Sequence, residues 1–204
     1  MRLLARAAAR AGLPVAVTRG FNPRPKISLA LPRPVGVATT CDLMVVELDE
    51  PVAGGELASG LNRRLPPGVE VNRREPLPPG RPPRVAAAAY ELALPEAAAA
   101  GVRAALASLE GRPRWEVTRR ARRSGRRDGT PRTLDIRPAV RGPELDGRTL
   151  RFTIVQTDAG AARCEEVLAL AGLDGPGGGL RRDDALAQLV RTELECDLRP
   201  GRKD

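Results

Sequence analysis

Hydrophobic and polar positions alternate with a helical period from the first residue onward. In residues 1–12, apolar residues recur at steps of three and four, and Arg2, Arg6 and Arg10 occupy the opposite face, which predicts an amphipathic helix ending at Gly12. Leucine, valine and alanine with the same period, helped by Pro95 and Glu96 at one helix start, predict further helices at 54–65, 95–110, 159–171 and 180–196.

Between the helices, short apolar runs bounded by glycine and proline predict strands. The clearest is 149–158, where Leu150, Phe152 and Ile154 alternate with polar residues and should face a core. The other predicted strands are 14–20, 27–31, 41–51, 68–77, 88–95, 114–122 and 133–140.

The element order predicts an α+β fold of two ferredoxin-like (βαββαβ) halves and a C-terminal helix. The expected domains are 1–80, 84–175 and, after a glycine-rich linker, 176–204. The first half has no strand before its uncapped first helix. We therefore expect that the chain begins late, through an internal start codon or a truncation, and leaves a sheet edge exposed.

The composition narrows the compartment and the chemistry. No apolar run is long enough to cross a membrane and the N-terminus lacks a signal peptide, so a cytoplasmic protein is expected. Cys41, Cys164 and Cys196 are far apart in sequence, which favours free thiols in a reducing compartment, and we assign them no role.

The chain contains no histidine, which excludes a Ser/His/Asp triad, a histidine-ligated zinc and an imidazole acid–base pair. It also lacks the phosphate-binding loops of common nucleotide-binding proteins, and its cysteine spacing does not fit an iron–sulfur cluster. No cofactor or metal is expected. The absence of these residues and motifs from the sequence favours a non-catalytic protein.

Positive charge is concentrated in two segments. Residues 1–30 carry a net charge of +6, residues 112–141 carry +8, and the rest sums to −5. Such a pattern is typical of a surface that neutralises phosphates in RNA or DNA. An acidic protein partner, or simply solvated faces in an arginine-rich chain, would give the same pattern.

The loop in the first basic segment, GFNPRPK at 20–26, gathers residue types that are rare in this chain. Pro23 and Pro25 restrict the backbone, so the loop should present three polar side chains rigidly: Asn22, Arg24 and Lys26. Phe21 could stack on a base, but a buried anchor for the loop is the favoured interpretation.

The second basic segment should form a hairpin. Its candidate binding residues on the outgoing strand and the turn are Arg119, Arg120, Arg122, Arg123, Arg126 and Arg127, and those on the return strand are Asp135 and Arg137. Ion pairing, for example of Asp135 with Arg137 or with a hairpin arginine, is the competing explanation for about half of these charges.

Two motifs carry a resemblance to a known family. The segments LLARAAARAGLPVAVTRGFNPRPKISLALPRPVGV and VTRRARRSGRRDGTPRTLDIRP, with the tail LVRTEL, resemble the radical SAM-linked protein family, a domain of unknown function fused to radical SAM proteins or encoded beside them. Two departures count: the usual strand before the first helix is missing, and Arg24 replaces the family's histidine. Arginine can still bind a phosphate or carboxylate but cannot replace histidine as an acid or base.

The resemblance and the charge pattern together predict a non-catalytic adaptor or substrate-recognition module. It would bind structured RNA, such as rRNA or tRNA, and act together with a radical SAM protein encoded nearby. No association with a membrane is expected. Because the chain has few aromatic residues, contacts to the RNA backbone should dominate. One alternative is a ferredoxin-fold endoribonuclease similar to CRISPR repeat-processing enzymes, with Lys26 as the base. Another is a module that binds only an acidic protein.

Overall fold

The computed structural model of the chain describes residues 2–77, 82–120, 130–173, 180 and 182–197. These residues form a mixed α/β structure in two compact units. The described part of the first unit lies within Met1–Pro32 and Asp42–Arg84, and the second unit comprises Arg33–Cys41 and Val85–Asp197. The segment 33–41 therefore belongs to the second unit although the chain on both sides of it belongs to the first.

Helices and strands alternate along most of the chain. Among the described residues they are α1 (Arg2–Arg10), β1 (Ile27–Leu29), β2 (Ala38–Thr39), β3 (Met44–Val46), α2 (Gly54–Asn62), β4 (Arg84–Ala93), α3 (Glu96–Glu110), β5 (Glu116–Arg120), β6 (Pro131–Asp135), a 3₁₀ turn (Arg137–Ala139), β7 (Val140–Asp146), β8 (Thr149–Val155), α4 (Cys164–Leu170), α5 (Arg182–Gln188) and β9 (Val190–Asp197).

The core of the first unit lies where α1 packs beside α2. Ala7 and Ala8 of α1 and Leu61 of α2 are buried, and half-buried apolar residues surround them, Ile27 and Met44 of the two-stranded β1–β3 sheet among them. A Cβ on Gly60 would lie 3.6 Å from that of Ala11, so a small residue here allows close contact. The predicted apolar face of the first helix is confirmed at Ala7 and Ala8, whereas Leu3, expected on the same face, is 47% exposed.

The second unit is built on a five-stranded sheet in the order β2-β9-β4-β8-β7. β8 pairs antiparallel with β4 on one side and with β7 on the other, and β2 runs parallel to β9. In β8 the side chains of Leu150, Phe152 and Ile154 are buried, as their alternation predicts. The ring of Phe152 stacks on Tyr90 of β4 with centroids 5.4 Å apart.

Helices α3 and α4 add their apolar faces to the core of this unit. α3 begins after Pro95, ends at Gly111 and buries Val102 and Leu106. Gly172, which follows α4 with a φ of +82°, lies where an added Cβ would contact Ala105 of α3 at 3.3 Å. A side chain at that position would be both strained and crowded.

The predicted C-terminal helix over 180–196 is wrong beyond Gln188. Helix α5 ends there, and β9 follows, between β2 and β4 in the sheet. Thr192, Leu194 and Cys196 are half-buried while Glu193 and Glu195 are exposed, so this stretch has a period of two that the helical interpretation overlooked. Neighbours on both sides supply the hydrogen bonds that favour the strand.

Two predicted strands in the first unit are not regular strands. Residues 14–20 form only the isolated bridges Val15↔Leu48 and Val17↔Pro25, because proline cannot donate to a ladder. In 68–77 the amide side chain of Asn62 donates to the carbonyl of Val71 at 3.0 Å and accepts from its N–H at 2.8 Å. The backbone groups that a neighbouring strand would use at Val71 are therefore taken.

Two of the described strands, β2 and β7, were not predicted. β7 contains Gly142 and Pro143, which argue against a strand in isolation, but it lies at the sheet edge with an irregular register between Arg141 and Glu144. Edge strands with bulges tolerate both residues.

The mixture of helices and strands is thus as predicted, whereas two ferredoxin-like halves are not confirmed. Within the described ranges, none of the helices combines the length and apolar character that spanning a bilayer requires.

Candidate nucleic-acid interface

The predicted proline loop is the tip of an irregular hairpin in the first unit. The N–H of Thr18 donates to the carbonyl of Arg24 at 2.8 Å, and the N–H of Arg24 donates to Oγ1 of Thr18 at 3.0 Å. One step further, the N–H of Lys26 donates to the carbonyl of Ala16 at 2.8 Å. These bonds close a loop over residues 19–23, whose shape is further restricted by Pro23.

Phe21 lies at the tip of this loop and is 100% exposed. All residues from 17 to 26 are exposed, so no packed surface is available to receive the ring. The favoured interpretation of Phe21 as a buried anchor is therefore wrong: the backbone hydrogen bonds of the hairpin hold the loop together. The aromatic face is free to contact a partner.

The three polar loop residues differ in their surroundings. Asn22 and Arg24 are exposed, and within the described part of the chain no carboxylate forms a salt bridge with Arg24 or with the nearby Arg19. Lys26, in contrast, donates from Nζ to Oε1 of Glu47 at 2.5 Å, so part of its charge is already compensated.

The guanidinium group of Arg119, in the second basic segment, is bound by other groups of the same unit. Its Nε and Nη2 donate to the two carboxylate oxygens of Glu166 at 2.6 and 2.7 Å, and Nη2 also donates to the carbonyl of Ala161 at 2.8 Å. This bidentate pair holds β5 against the start of α4. Its guanidinium is therefore not displayed for a ligand in the way the sequence suggested.

The pair with Arg119 also changes the ionisation of Glu166. Partial burial would raise the pKa of Glu166, but the hydrogen bonds from Arg119 and from the backbone N–H of Arg163 pull the pKa below its ordinary value. The same hydrogen bonds from the Arg119 side chain raise the pKa of Arg119. Both groups are ionised at neutral pH.

Asp135 and Arg137 fasten the base of the β5–β6 hairpin. Oδ1 of Asp135 accepts the backbone N–H groups of Trp115 and Arg137 at 2.9 and 3.0 Å, and these bonds lower the pKa of Asp135. Arg137 Nη1 donates to the carbonyls of Arg112 and Pro113 at 2.9 and 3.2 Å. The two residues thus order their own hairpin.

Arg120 ends β5, and nothing further is described of its side chain. The remaining predicted hairpin residues lie outside the described residues: Arg122, Arg123, Arg126 and Arg127.

The sequence did not reveal a basic cleft in the first unit. It has a volume of about 500 Å³ and is lined by Arg6 and Arg10 of α1, by Arg63 and Arg64 just after α2, and by the apolar side chains of Leu3, Ala7, Leu65 and Pro66. The sequence indicates a basic first helix and the doublet Arg63–Arg64 separately. Only the packing of α1 beside α2 brings them together.

All three cysteines belong to the second unit. Burial raises the pKa of the Cys164 thiol to about 12, and that of the neighbouring Tyr90 hydroxyl also to about 12. Both stay protonated at neutral pH, as expected of core residues. In the described ranges no three potential ligand side chains are grouped as a metal ion requires, and all three cysteines are free.

Comparison with known proteins adds one match. The family described as "Uncharacterized protein conserved in bacteria (DUF2344)" matches residues 1–164, about four-fifths of the chain. No curated protein matches, and no solved structure matches.

Proposed function

The chain belongs to DUF2344, a family of uncharacterized proteins conserved in bacteria, and we propose that it is a non-catalytic RNA-recognition module that acts beside a radical SAM enzyme. The observation that carries the proposal is Phe21, fully exposed at the tip of a hairpin that also displays Arg19 and Arg24. An aromatic face beside exposed guanidinium groups is the combination that binds single-stranded or looped RNA.

The chemistry of this tip suits a stacked nucleobase. A fully exposed phenylalanine forgoes about 2 kcal/mol of burial. Stacking a base on the ring recovers that energy, and each stacked base contributes about 1–3 kcal/mol. The hairpin is already closed by backbone hydrogen bonds, so little conformational entropy is lost on binding.

The second unit has a supporting role in this proposal. The order β4, α3, β7, β8, α4, β9 follows a βαββαβ plan into which the β5–β6 hairpin is inserted. This order supports a ferredoxin-like interpretation of the second unit alone. The inserted hairpin carries the second basic segment, which we propose makes additional contacts with a structured RNA.

The partnership with a radical SAM enzyme rests on the resemblance of two motifs, GFNPRPK at 20–26 and DIRP at 135–138, to the radical SAM-linked protein family. In this arrangement the module selects the RNA and the partner supplies the chemistry. Co-purification at low salt with the protein encoded next to this chain tests the pairing. A neighbour without the CxxxCxxC motif of radical SAM proteins, or one that does not co-purify, would contradict this part of the proposal.

A nuclease function is less well supported. It would need Lys26 as a base, and Nζ of Lys26 is already held by a salt bridge to Glu47. Incubation of the purified chain with labelled RNA should leave the RNA intact. Cleavage that disappears in Lys26→Ala would instead support the nuclease.

The central test is RNA affinity measured by fluorescence anisotropy with a labelled tRNA or rRNA hairpin. We expect binding that weakens as salt rises, and Phe21→Ala should weaken it about 5- to 150-fold, the equivalent of about 1–3 kcal/mol. Phe21→Trp should retain the affinity because tryptophan also offers a stacking face. The matched control is Val35→Ala, since Val35 is 98% exposed but is not aromatic.

Two results would overturn the proposal. One is the absence of RNA binding at low salt. The other is an equal loss of affinity in Phe21→Ala and Val35→Ala, which would mean that the ring does not contact the RNA. Tighter binding to an acidic protein such as a polyglutamate-rich carrier than to RNA would favour the protein-binding alternative.

A further inference from the structure

The basic cleft between α1 and the end of α2 has no role in the sequence-based hypotheses. Four arginines line it: Arg6, Arg10, Arg63 and Arg64. The lining contains no acidic residue, and none of the salt bridges formed among the described residues involves any of the four. Within this part of the chain, the cleft therefore holds four positive charges without a carboxylate in a salt bridge to any of them.

The position of these arginines follows from the helix period and the packing of the unit. Arg6 and Arg10 are four residues apart, so they lie one above the other on the same face of α1. Arg63 caps the end of α2 and Arg64 follows it. Because Ala7, Ala8 and Leu61 pack together between the two helices, both arginine pairs are held by the core rather than by a loop.

Such an arrangement is electrostatically unfavourable without a bound anion. Like charges lining one cleft repel each other, and water and salt screen the repulsion because all four arginines are exposed. The partial negative charge of the carbonyls at a helix C-terminus offsets the repulsion for Arg63 and Arg64 at the end of α2 and for Arg10 in the last turn of α1. Arg6 lies further from a helix end. A bound anion relieves the repulsion at all four positions.

We infer that the cleft binds backbone phosphates of the same RNA that the module recognises, and this inference rests on the function proposed above. Arginine suits this task because its planar fork donates two parallel hydrogen bonds to phosphate oxygens. A volume of about 500 Å³ is in the range that holds a nucleotide-sized group. The apolar side chains of Leu3, Leu65 and Pro66 in its lining can contact a sugar or a base edge.

The test compares two double variants that remove the same charge. Arg10→Gln with Arg64→Gln removes one arginine from each side of the cleft. Arg2→Gln with Arg103→Gln removes two exposed arginines outside the cleft lining, one from α1 and one from α3. Affinity is measured by anisotropy with the same fluorescently labelled tRNA or rRNA hairpin oligonucleotide that tests Phe21→Ala, at several salt concentrations.

The cleft variant should bind the oligonucleotide at least about tenfold more weakly than the wild type at low salt. Its plot of log K against log salt should flatten by about 0.7–0.9 for each phosphate that the variant no longer neutralises. The control variant should bind less than about threefold more weakly, through the general field alone. Arg10→Lys with Arg64→Lys should fall between wild type and the glutamine variant, because lysine keeps the charge but not the fork.

An equal decrease in affinity in the cleft and control variants would overturn the inference while leaving RNA recognition intact. If the wild-type chain does not bind the oligonucleotide at all, the proposed function fails instead, which separates the two failures. Sedimentation with phosphatidylserine vesicles is the counter-probe: a cleft variant that no longer binds vesicles but keeps RNA affinity would assign the cleft to an anionic lipid surface and overturn the inference.

Discussion

The arginines of the first unit and those at the base of the β5–β6 hairpin differ in what surrounds their guanidinium groups. Arg119 forms a bidentate salt bridge with Glu166, and Arg137 donates to two backbone carbonyls. Arg6, Arg10 and Arg24 are exposed, and no described carboxylate forms a salt bridge with them. Arg119 and Arg137 thus order the second unit, whereas Arg6, Arg10 and Arg24 of the first unit are available to a ligand.

This contrast shows why charge counts along a sequence are a weak guide to binding. Residues 112–141 carry the larger excess of positive charge, yet two of the arginines predicted to bind there, Arg119 and Arg137, serve the fold. The partner of Arg119 lies 47 residues further along the chain, where no local pattern could reveal it. Within the described part of residues 1–30, which carry the smaller excess, Lys26 is the one basic residue in a salt bridge.

The largest expected effect is a loss of stability when Arg119, which orders the second unit, is replaced. Arg119→Ala should lower the free energy of unfolding by about 1–3 kcal/mol, because it leaves the partly buried carboxylate of Glu166 without its charged donor. Urea unfolding monitored through the fluorescence of Trp115 would measure the decrease. RNA affinity should be unchanged under conditions where the variant is folded.

The matched control for that variant is a double-mutant cycle with Glu166→Gln. The two single effects should not add, because each variant removes the same interaction. A reduced RNA affinity in fully folded Arg119→Ala would contradict the division into structural and ligand-binding arginines.

The second expected effect is on how the free energy of unfolding depends on pH. Because the folded-state pKa of Glu166 lies below its ordinary value, the stabilisation from Glu166 is present above the unfolded pKa of about 4.3 and is lost as pH falls through the lowered folded value. The free energy of unfolding should therefore fall more steeply with acid in the wild type than in Glu166→Gln. Urea midpoints between pH 7 and pH 3 test this. A constant difference between the two proteins over that range would contradict it.

The smallest effect distinguishes two cations on the same hairpin. Arg24→Gln should weaken RNA binding by a few fold and flatten the salt dependence by up to about 0.7, the value for one phosphate contact. Lys26→Gln should have a smaller effect on binding, since its ammonium group is paired with Glu47. Removing this pair should change stability by about 0–1 kcal/mol. The opposite ranking, measured by anisotropy, would place the ligand on the Glu47 side of the loop.

Local patterns predicted the elements that tertiary context did not contest. The period of three to four residues located α1 and α3, and the alternation of Leu150, Phe152 and Ile154 located the buried face of β8. These segments succeed because the side-chain period of a helix or strand is written into the sequence itself.

The same reasoning failed where a distant partner decided the outcome. Residues 190–197 contain both periods, and the place between β2 and β4 selects the strand. The β2 segment pairs with β9 about 150 residues away, which no local pattern reveals. For Phe21, residue type alone favoured burial. The hydrogen bonds between Thr18 and Arg24 close the hairpin without it and leave the ring exposed.

The sequence by itself determined the mixed helix-and-strand composition, the buried face of the best strands, the stiffened proline loop and the absence of histidine chemistry. These depend on backbone restriction, side-chain period and residue type, all of which are local properties. Only the tertiary structure decided which arginines are neutralised and which meet in a cleft. Charge compensation depends on distance in space, and the chain brings Arg10 near Arg64, and Arg119 to Glu166, only when it is folded.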